Sequence, residues 1–241
     1  MSIAGGVAAT PNLGWIVSRT FAIIGRRFAG IGVLTLLLVC APDLVIALLP
    51  ASLNSGLNIA SSVLSAFYFG SVALIVYYEL AGEAPIGAQA AFSAAAGRFG
   101  VLFGANILSG LAVLGGLIAL ILPGLFLMTA WMPLTAVVVA EQFGVTASLG
   151  RAWRLTQGHR WLLGGLLALY VAGAVLLFSL LALVVGLTQG AAGLQLVAST
   201  LVGVFISSIV YGIGAVGSAV VYVTLRRAKD GIASEVASVF A

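Results

Sequence analysis

Six carboxylates, one histidine and one cysteine are all that this chain of 241 residues offers for acid–base, metal or thiol chemistry. Asp43 follows Pro42 inside an apolar stretch. An ionisable group at membrane depth is costly and usually functional, so it reads either as a proton or cation site facing a cavity or as a carboxylate reaching outer water. Its place seven residues before Pro50 favours outer water. Glu141 closes another apolar stretch, with Arg151, Arg154 and His159 on the segment that follows. The expected use is a Glu–Arg pair pinning that segment; a catalytic carboxylate there would have no partner of suitable spacing. His159 stands beside Arg160 and Trp161, without companions for a metal. Cys40 is alone, so it makes no intrachain disulfide and reads as a small apolar filler. There is no His-x-x-x-His, no Gly-x-Ser-x-Gly and no glycine-rich loop followed by Lys. These residues point to no catalytic centre, metal or cofactor.

Two weaker patterns could handle a polar cargo. Asn58, Ser61, Ser65 and Tyr68 recur along one helical stripe, and Asn106 lies in another apolar stretch. Together with Asp43 they could line a polar path, although a packing seam is the simpler reading of the stripe. Small residues at intervals of four, Gly100 and Gly104, Ala112 and Gly116, and Ser199, Gly203 and Ser207, suit close helix approach in lipid.

The elements that position these residues follow from composition. The chain is 62% hydrophobic and 7% charged, with a mean hydropathy of +1.25. Soluble domains carry about 25% charged residues, so this surface must face lipid. A hydrocarbon core needs roughly 20 apolar helical residues. Stretches of that kind run over about 28–49, 58–78, 99–122, 125–140, 161–187 and 194–225. Outer turns are expected at 50–56, at Pro123-Gly124 and around 189–193, with tails at 1–12 and 230–241. The fourth stretch is short and holds Pro133 near its middle. A tilted or kinked crossing costs less than leaving the following arginines on the wrong side.

All ten Lys and Arg residues fall on alternate connections: Arg19, Arg26 and Arg27; Arg98; Arg151, Arg154 and Arg160; Arg226, Arg227 and Lys229. Basic residues at helix ends stay cytoplasmic, which predicts six transmembrane helices with both termini in the cytoplasm. Arg27-Phe28, Arg98-Phe99 and Arg160-Trp161 each stand immediately before an odd-numbered span, and Phe21, Phe92 and Trp153 precede them by six or seven positions. The pattern reads either as a unit of a short interfacial helix followed by a membrane hairpin, used three times, or as the Arg and aromatic that any helix entering from the cytoplasm collects there. The expected fold is therefore all-α: one polytopic membrane bundle over 1–241 with short cytoplasmic interfacial helices.

The segment 122–169 holds Leu122-Pro123-Gly124, Trp131-Met132-Pro133, Glu141, then Ser148 to Gly158 and Trp161. It resembles the membrane domain found with glycerophosphoryl diester phosphodiesterases and the related YciC-like bacterial inner-membrane proteins. The close from Tyr222 to Gly231 is similar as well, while Ala152 departs from the usual Ser before the Trp. The resemblance implies a multi-helix bacterial inner-membrane domain, and Pro123, Gly124, Pro133 and Glu141, which carry it, are expected to have structural roles. In fused members catalysis belongs to a separate soluble barrel, so no enzymatic role carries over. The expected function is a non-enzymatic membrane protein acting through lipid and protein contacts, supporting envelope organisation or a membrane complex. Its expected partners are anionic headgroups, held by Arg27, Arg98, Arg151, Arg154 and Arg160 with Phe28, Phe99 and Trp161, and other membrane proteins or a second copy; nucleic acid is not among them. The alternative is a small transporter or channel with a polar path near Asp43.

Overall fold

A computed structural model describes residues 12–49, 54–187 and 192–239. Among these there is no strand, and six helical segments are long and apolar enough to cross a membrane: Phe28–Leu48, Gly56–Ala81, Phe99–Ala119, Ile121–Glu141, Arg160–Gly186 and Val197–Asp230. The protein is an all-α membrane bundle. The tail 1–11 and most of the turns expected at 50–56 and 189–193 lie outside the described residues.

The helices are α1 (Leu13–Arg26), α2 (Phe28–Thr35), α3 (Ala41–Leu48), α4 (Asn54–Ala81), α5 (Ala88–Ala96), α6 (Phe99–Ala119), α7 (Ile121–Ala130), α8 (Leu134–Glu141), α9 (Val145–Thr156), α10 (Arg160–Leu187) and α11 (Ala192–Val239). A π-helical turn, Leu36–Cys40, joins α2 to α3. Pro42 accounts for it: its ring clashes with the carbonyl four residues back and its nitrogen donates nothing, so the ladder widens locally.

Three short helices, α1, α5 and α9, each precede a hairpin. The first hairpin is α2–α3 and α4, the second α6 and α7–α8, the third α10 and α11. Each short helix is cut to lie on a neighbour. In α1, Ile16, Thr20 and Ile23 share one buried face and Asn12 caps the start, accepting from the Gly14 amide at 2.9 Å. In α5 the buried pair is Ala91 and Ala95, and in α9 Ser148, Leu149, Ala152, Leu155 and Thr156 turn inward.

The order of packing is cyclic. α5 lies on α4 and α2, both arms of the first hairpin; α9 lies on α8 and α6, both arms of the second; α1 lies on α11 and α10, both arms of the third. The second arms α4, α8 and α11 meet at the centre, while the first arms stay outside. Each second arm also touches the first arm of the next hairpin: α4 with α6, α7 with α10, α11 with α3 and the π turn. This is a head-to-tail contact made three times and closed into a ring. Glycines mark the seats of the short helices: the nearest atom to a Cβ built on Gly70 of α4 is in Ala95, on Gly104 of α6 in Val145, and on Gly165 of α10 in Leu13.

Two boundaries differ from expectation. The third span ends at Ala119, and the chain turns at Leu120, which is extended (φ −163°, ψ 143°). Pro123-Gly124 is therefore not the outer turn; both sit in the first turn of α7. A proline is tolerated there because the first amides of a helix have no intrahelical acceptor. The fourth span gains those residues and reaches 21, broken at Trp131–Pro133 between α7 and α8. Gly124 packs so closely on the third span that the nearest heavy atoms to a Cβ built on Gly116 are its own backbone, at 3.0 Å. The first and fifth spans match the expected ends within a residue, the second extends to Gly56–Ala81, and the sixth helix runs on to Val239.

Candidate functional site

The arginines at the hairpin entrances turn inward. Arg27 donates to Glu79, the acid near the end of α4, with its Nε 2.6 Å from the carboxylate, and Arg26 stands 3.9 Å from the same group. Arg98 donates to the Phe143 carbonyl at 2.6 Å. Arg151 of α9 bridges Glu141 at 2.8 Å and Asp230 at 3.0 Å. Glu141, with 7% of its side chain exposed, also accepts from the Tyr222 hydroxyl at 3.1 Å, and Arg226 closes the group beside Tyr77 and Tyr222. Burial opposes the charge of Arg151, but the hydrogen bonds and charges of Glu141 and Asp230 outweigh it and raise its pKa above the ordinary arginine value. Arg227 and Lys229 donate to the Leu80 and Arg154 carbonyls.

Arg160 is held differently. Its guanidinium carbon lies 4.4 Å from the Phe126 ring centre and 4.0 Å from that of Trp153. Its Nε and one terminal nitrogen are buried without a hydrogen-bond partner among the described residues. Two ring faces supply what an acceptor would otherwise supply. The aromatic halves of the same pairs point outward: Phe28 is 71% exposed, Phe99 42% and Trp161 96%. Arg154 is exposed as well. The Arg-aromatic signature thus divides into an inward tie and an exposed ring.

Asp43 sits where α3, α4 and α11 converge. Ser61 donates to one of its oxygens at 3.4 Å and Ser207 to the other at 3.5 Å, the long end of the hydrogen-bond range. One helix turn deeper Cys40 meets Ser208, and about two turns deeper Thr35 meets Tyr68 at 3.0 Å. Of the polar stripe, Ser61 faces Asp43, Ser65 donates back to the Ser61 carbonyl, and Asn58 is exposed. Asn106 donates to the Leu102 carbonyl at 2.8 Å and stands apart from Asp43.

Two openings lie between the hairpins. An apolar groove of about 550 Å³ runs between α1, α7, α10 and α11, lined by Phe21, Met128, Leu166, Tyr170, Leu177 and Val210 among others. Its few polar groups are already satisfied: Thr20 donates to the Ile16 carbonyl and Tyr170 to that of Val210. A second cavity of about 590 Å³ lies between α4, α6 and α8 and includes Ser65, Asn106 and Thr135. Ser65 and Asn106, expected on one polar path with Asp43, instead share this cavity.

Sequence reasoning places Glu141 with Arg151 and overlooks Glu79, Tyr222, Arg226 and Asp230. A signal for Glu79 was present: Glu79-Leu80-Ala81-Gly82 and Glu141-Gln142-Phe143-Gly144 put an acid and a glycine at the same spacing after two second arms. Among the described residues no group of three His, Cys, Asp or Glu side chains could hold a metal. No family model matches the chain, and no curated protein or solved structure matches it.

Proposed function

We propose that this is a non-enzymatic integral protein of a bacterial inner membrane, of the kind its motif resemblance implies, acting through lipid and protein contacts in envelope organisation or as an accessory to a membrane complex. The groove between α1, α7, α10 and α11 carries this reading. Its apolar lining and open side suit lipid chains, and its volume lies within the ~300–1,000 Å³ common for ligand pockets. Exposed Phe28, Phe99 and Trp161 suit headgroup depth, and exposed Arg154 suits an anionic headgroup. The test is native mass spectrometry of protein purified in mild detergent. Wild type retains bilayer phospholipid, and Ala174→Trp, which fills the groove, loses it. Equal retention by the two proteins rejects the reading.

A second reading, a small transporter or channel, is favoured by one observation: serines from α4 and α11 converge on Asp43. Proton or cation flux into proteoliposomes that disappears in Asp43→Asn supports it, and flux equal to empty vesicles removes it.

A further inference from the structure

The cavity between α4, α6 and α8 is open on the side where Ser62 and Asn106 are exposed. It differs from the groove in its chemistry: Ser62, Ser65, Asn106, Thr135 and Ser218 interrupt its apolar lining, and no charged residue lines it. Ser62 and Ser65 donate back to the carbonyls of Asn58 and Ser61, which leaves their oxygens able to accept. Asn106 uses its amide nitrogen on the Leu102 carbonyl. Its side-chain oxygen and the Thr135 hydroxyl have no partner among the described residues. Unmatched polar groups inside a bilayer are costly, so their convergence on one cavity points to a ligand that carries the complement. Because no counter-charge lines the cavity, a phosphate or ammonium headgroup would be stranded there.

Phe69, Met132 and Ser218 line both this cavity and the apolar groove. The two openings therefore abut, with the unbranched, adaptable side chain of Met132 at the boundary. We propose that together they bind one uncharged lipid of the diacylglycerol class. Its free hydroxyl and ester oxygens sit between Thr135 and Asn106, and an acyl chain passes Met132 into the groove. The proposal rests on the lipid-contact reading above but names a different lipid from the bilayer phospholipids that fill an open apolar face.

The test titrates purified wild-type protein with 1,2-dioleoylglycerol and, in parallel, with dioleoyl phosphatidylglycerol, by native mass spectrometry. Dioleoylglycerol binds more tightly than the phospholipid. Thr135→Val and Asn106→Leu each weaken dioleoylglycerol about five-fold, the value of one hydrogen bond, and leave phospholipid retention unchanged. Thr135→Ser keeps the hydroxyl and binds as wild type, which separates a lost contact from a damaged fold. Equal binding by the Thr135→Val/Asn106→Leu double variant overturns the proposal. Retention of phosphatidylglycerol alone overturns it while sparing the lipid-contact reading; retention of neither lipid overturns both.

Discussion

Arg27 and Arg98 hold the same backbone conformation, φ −108° at both, with ψ 20° at the first and 16° at the second. Each ends the connection from a short helix, and each carbonyl opens the next arm, accepting from Ile31 and Leu102 at 2.9 Å. The two junctions are one local device used twice, and the third hairpin repeats its plan with His159 accepting from Leu163 at 3.0 Å. What differs is the acceptor that each arginine side chain finds.

Arg27 ties the junction of the first hairpin to the end of its own second arm through Glu79. Arg27→Gln removes a charge-assisted pair and should cost about 2 kcal/mol. Hydrogen exchange of the α1 and α2 amides checks it: protection falls there and holds in α10.

Glu141 is the most enclosed acid of the cytoplasmic cluster and serves Arg151, Tyr222 and Arg226. Glu141→Leu strands two arginines and should cost about 3 kcal/mol. Arg151→Leu should do similar damage, and the double variant less than the sum, a coupling of about 1–3 kcal/mol. Thermal unfolding in detergent measures all three. Additive losses would mean that Arg151 and Glu141 do not work as a pair.

The pH dependence of that cluster has a definite sign on its basic side. Arg151 has a raised pKa in the folded protein, so its contribution is fully present below the unfolded arginine value and is lost only as pH rises through the folded one. Between about pH 7 and 8, well below the ordinary lysine and arginine ranges, Arg151 should contribute no change in stability. The difference in melting temperature between wild type and Arg151→Leu should stay constant across that range.

Arg160 is clamped by two rings. Arg160→Lys keeps the charge but not the flat face, and should lose about 1 kcal/mol. Trp153→Leu should lose at least as much, and Arg160→Lys should then have little further effect in that background. Melting temperatures of the four proteins decide it.

Gly124 has no room for a side chain: a Cβ there would lie 2.3 Å from Leu117 Cγ and 2.7 Å from the Leu117 nitrogen. Gly124→Ala should force the α6–α7 hairpin apart at about 1–3 kcal/mol. Gly144→Ala, where a Cβ meets nothing within 4 Å, is the control. A cysteine placed at Leu120 in a Cys40→Ser background should react with a membrane-impermeant maleimide from outside the cell, and one at Gln142 should not, as the alternating arginines require.

Span number and the thrice-used plan of short helix and hairpin were legible in the sequence, because length, hydropathy and basic residues act locally. The Glu141–Arg151 pair was legible for the same reason, being ten residues apart. The Pro123-Gly124 break was misplaced because proline marks both a turn and the first turn of a helix. Which arms lie inside was not legible at all: lipid is as apolar as a protein interior, so α4 and α10 present similar residues to different surroundings. Arg27 finds Glu79 across 52 positions, Arg160 finds Phe126 across 34 and Arg226 finds Tyr77 across 149, separations that no local pattern encodes. The aromatic halves of the same signature, Phe28, Phe99 and Trp161, are exposed on the surface of the bundle.

The seat of α1 on α11 has a consequence for biogenesis. Translation delivers α1 before the helix it rests on, so the amphipathic segment must wait at the membrane surface while the five crossings between them insert. During that interval Ile16 and Ile23 have no protein surface to cover them, and one wall of the groove is missing. Assembly of this bundle is thus a ring-closing event that waits for synthesis of α11, and a ribosome stalled before α11 leaves behind an inserted chain with an unsealed side.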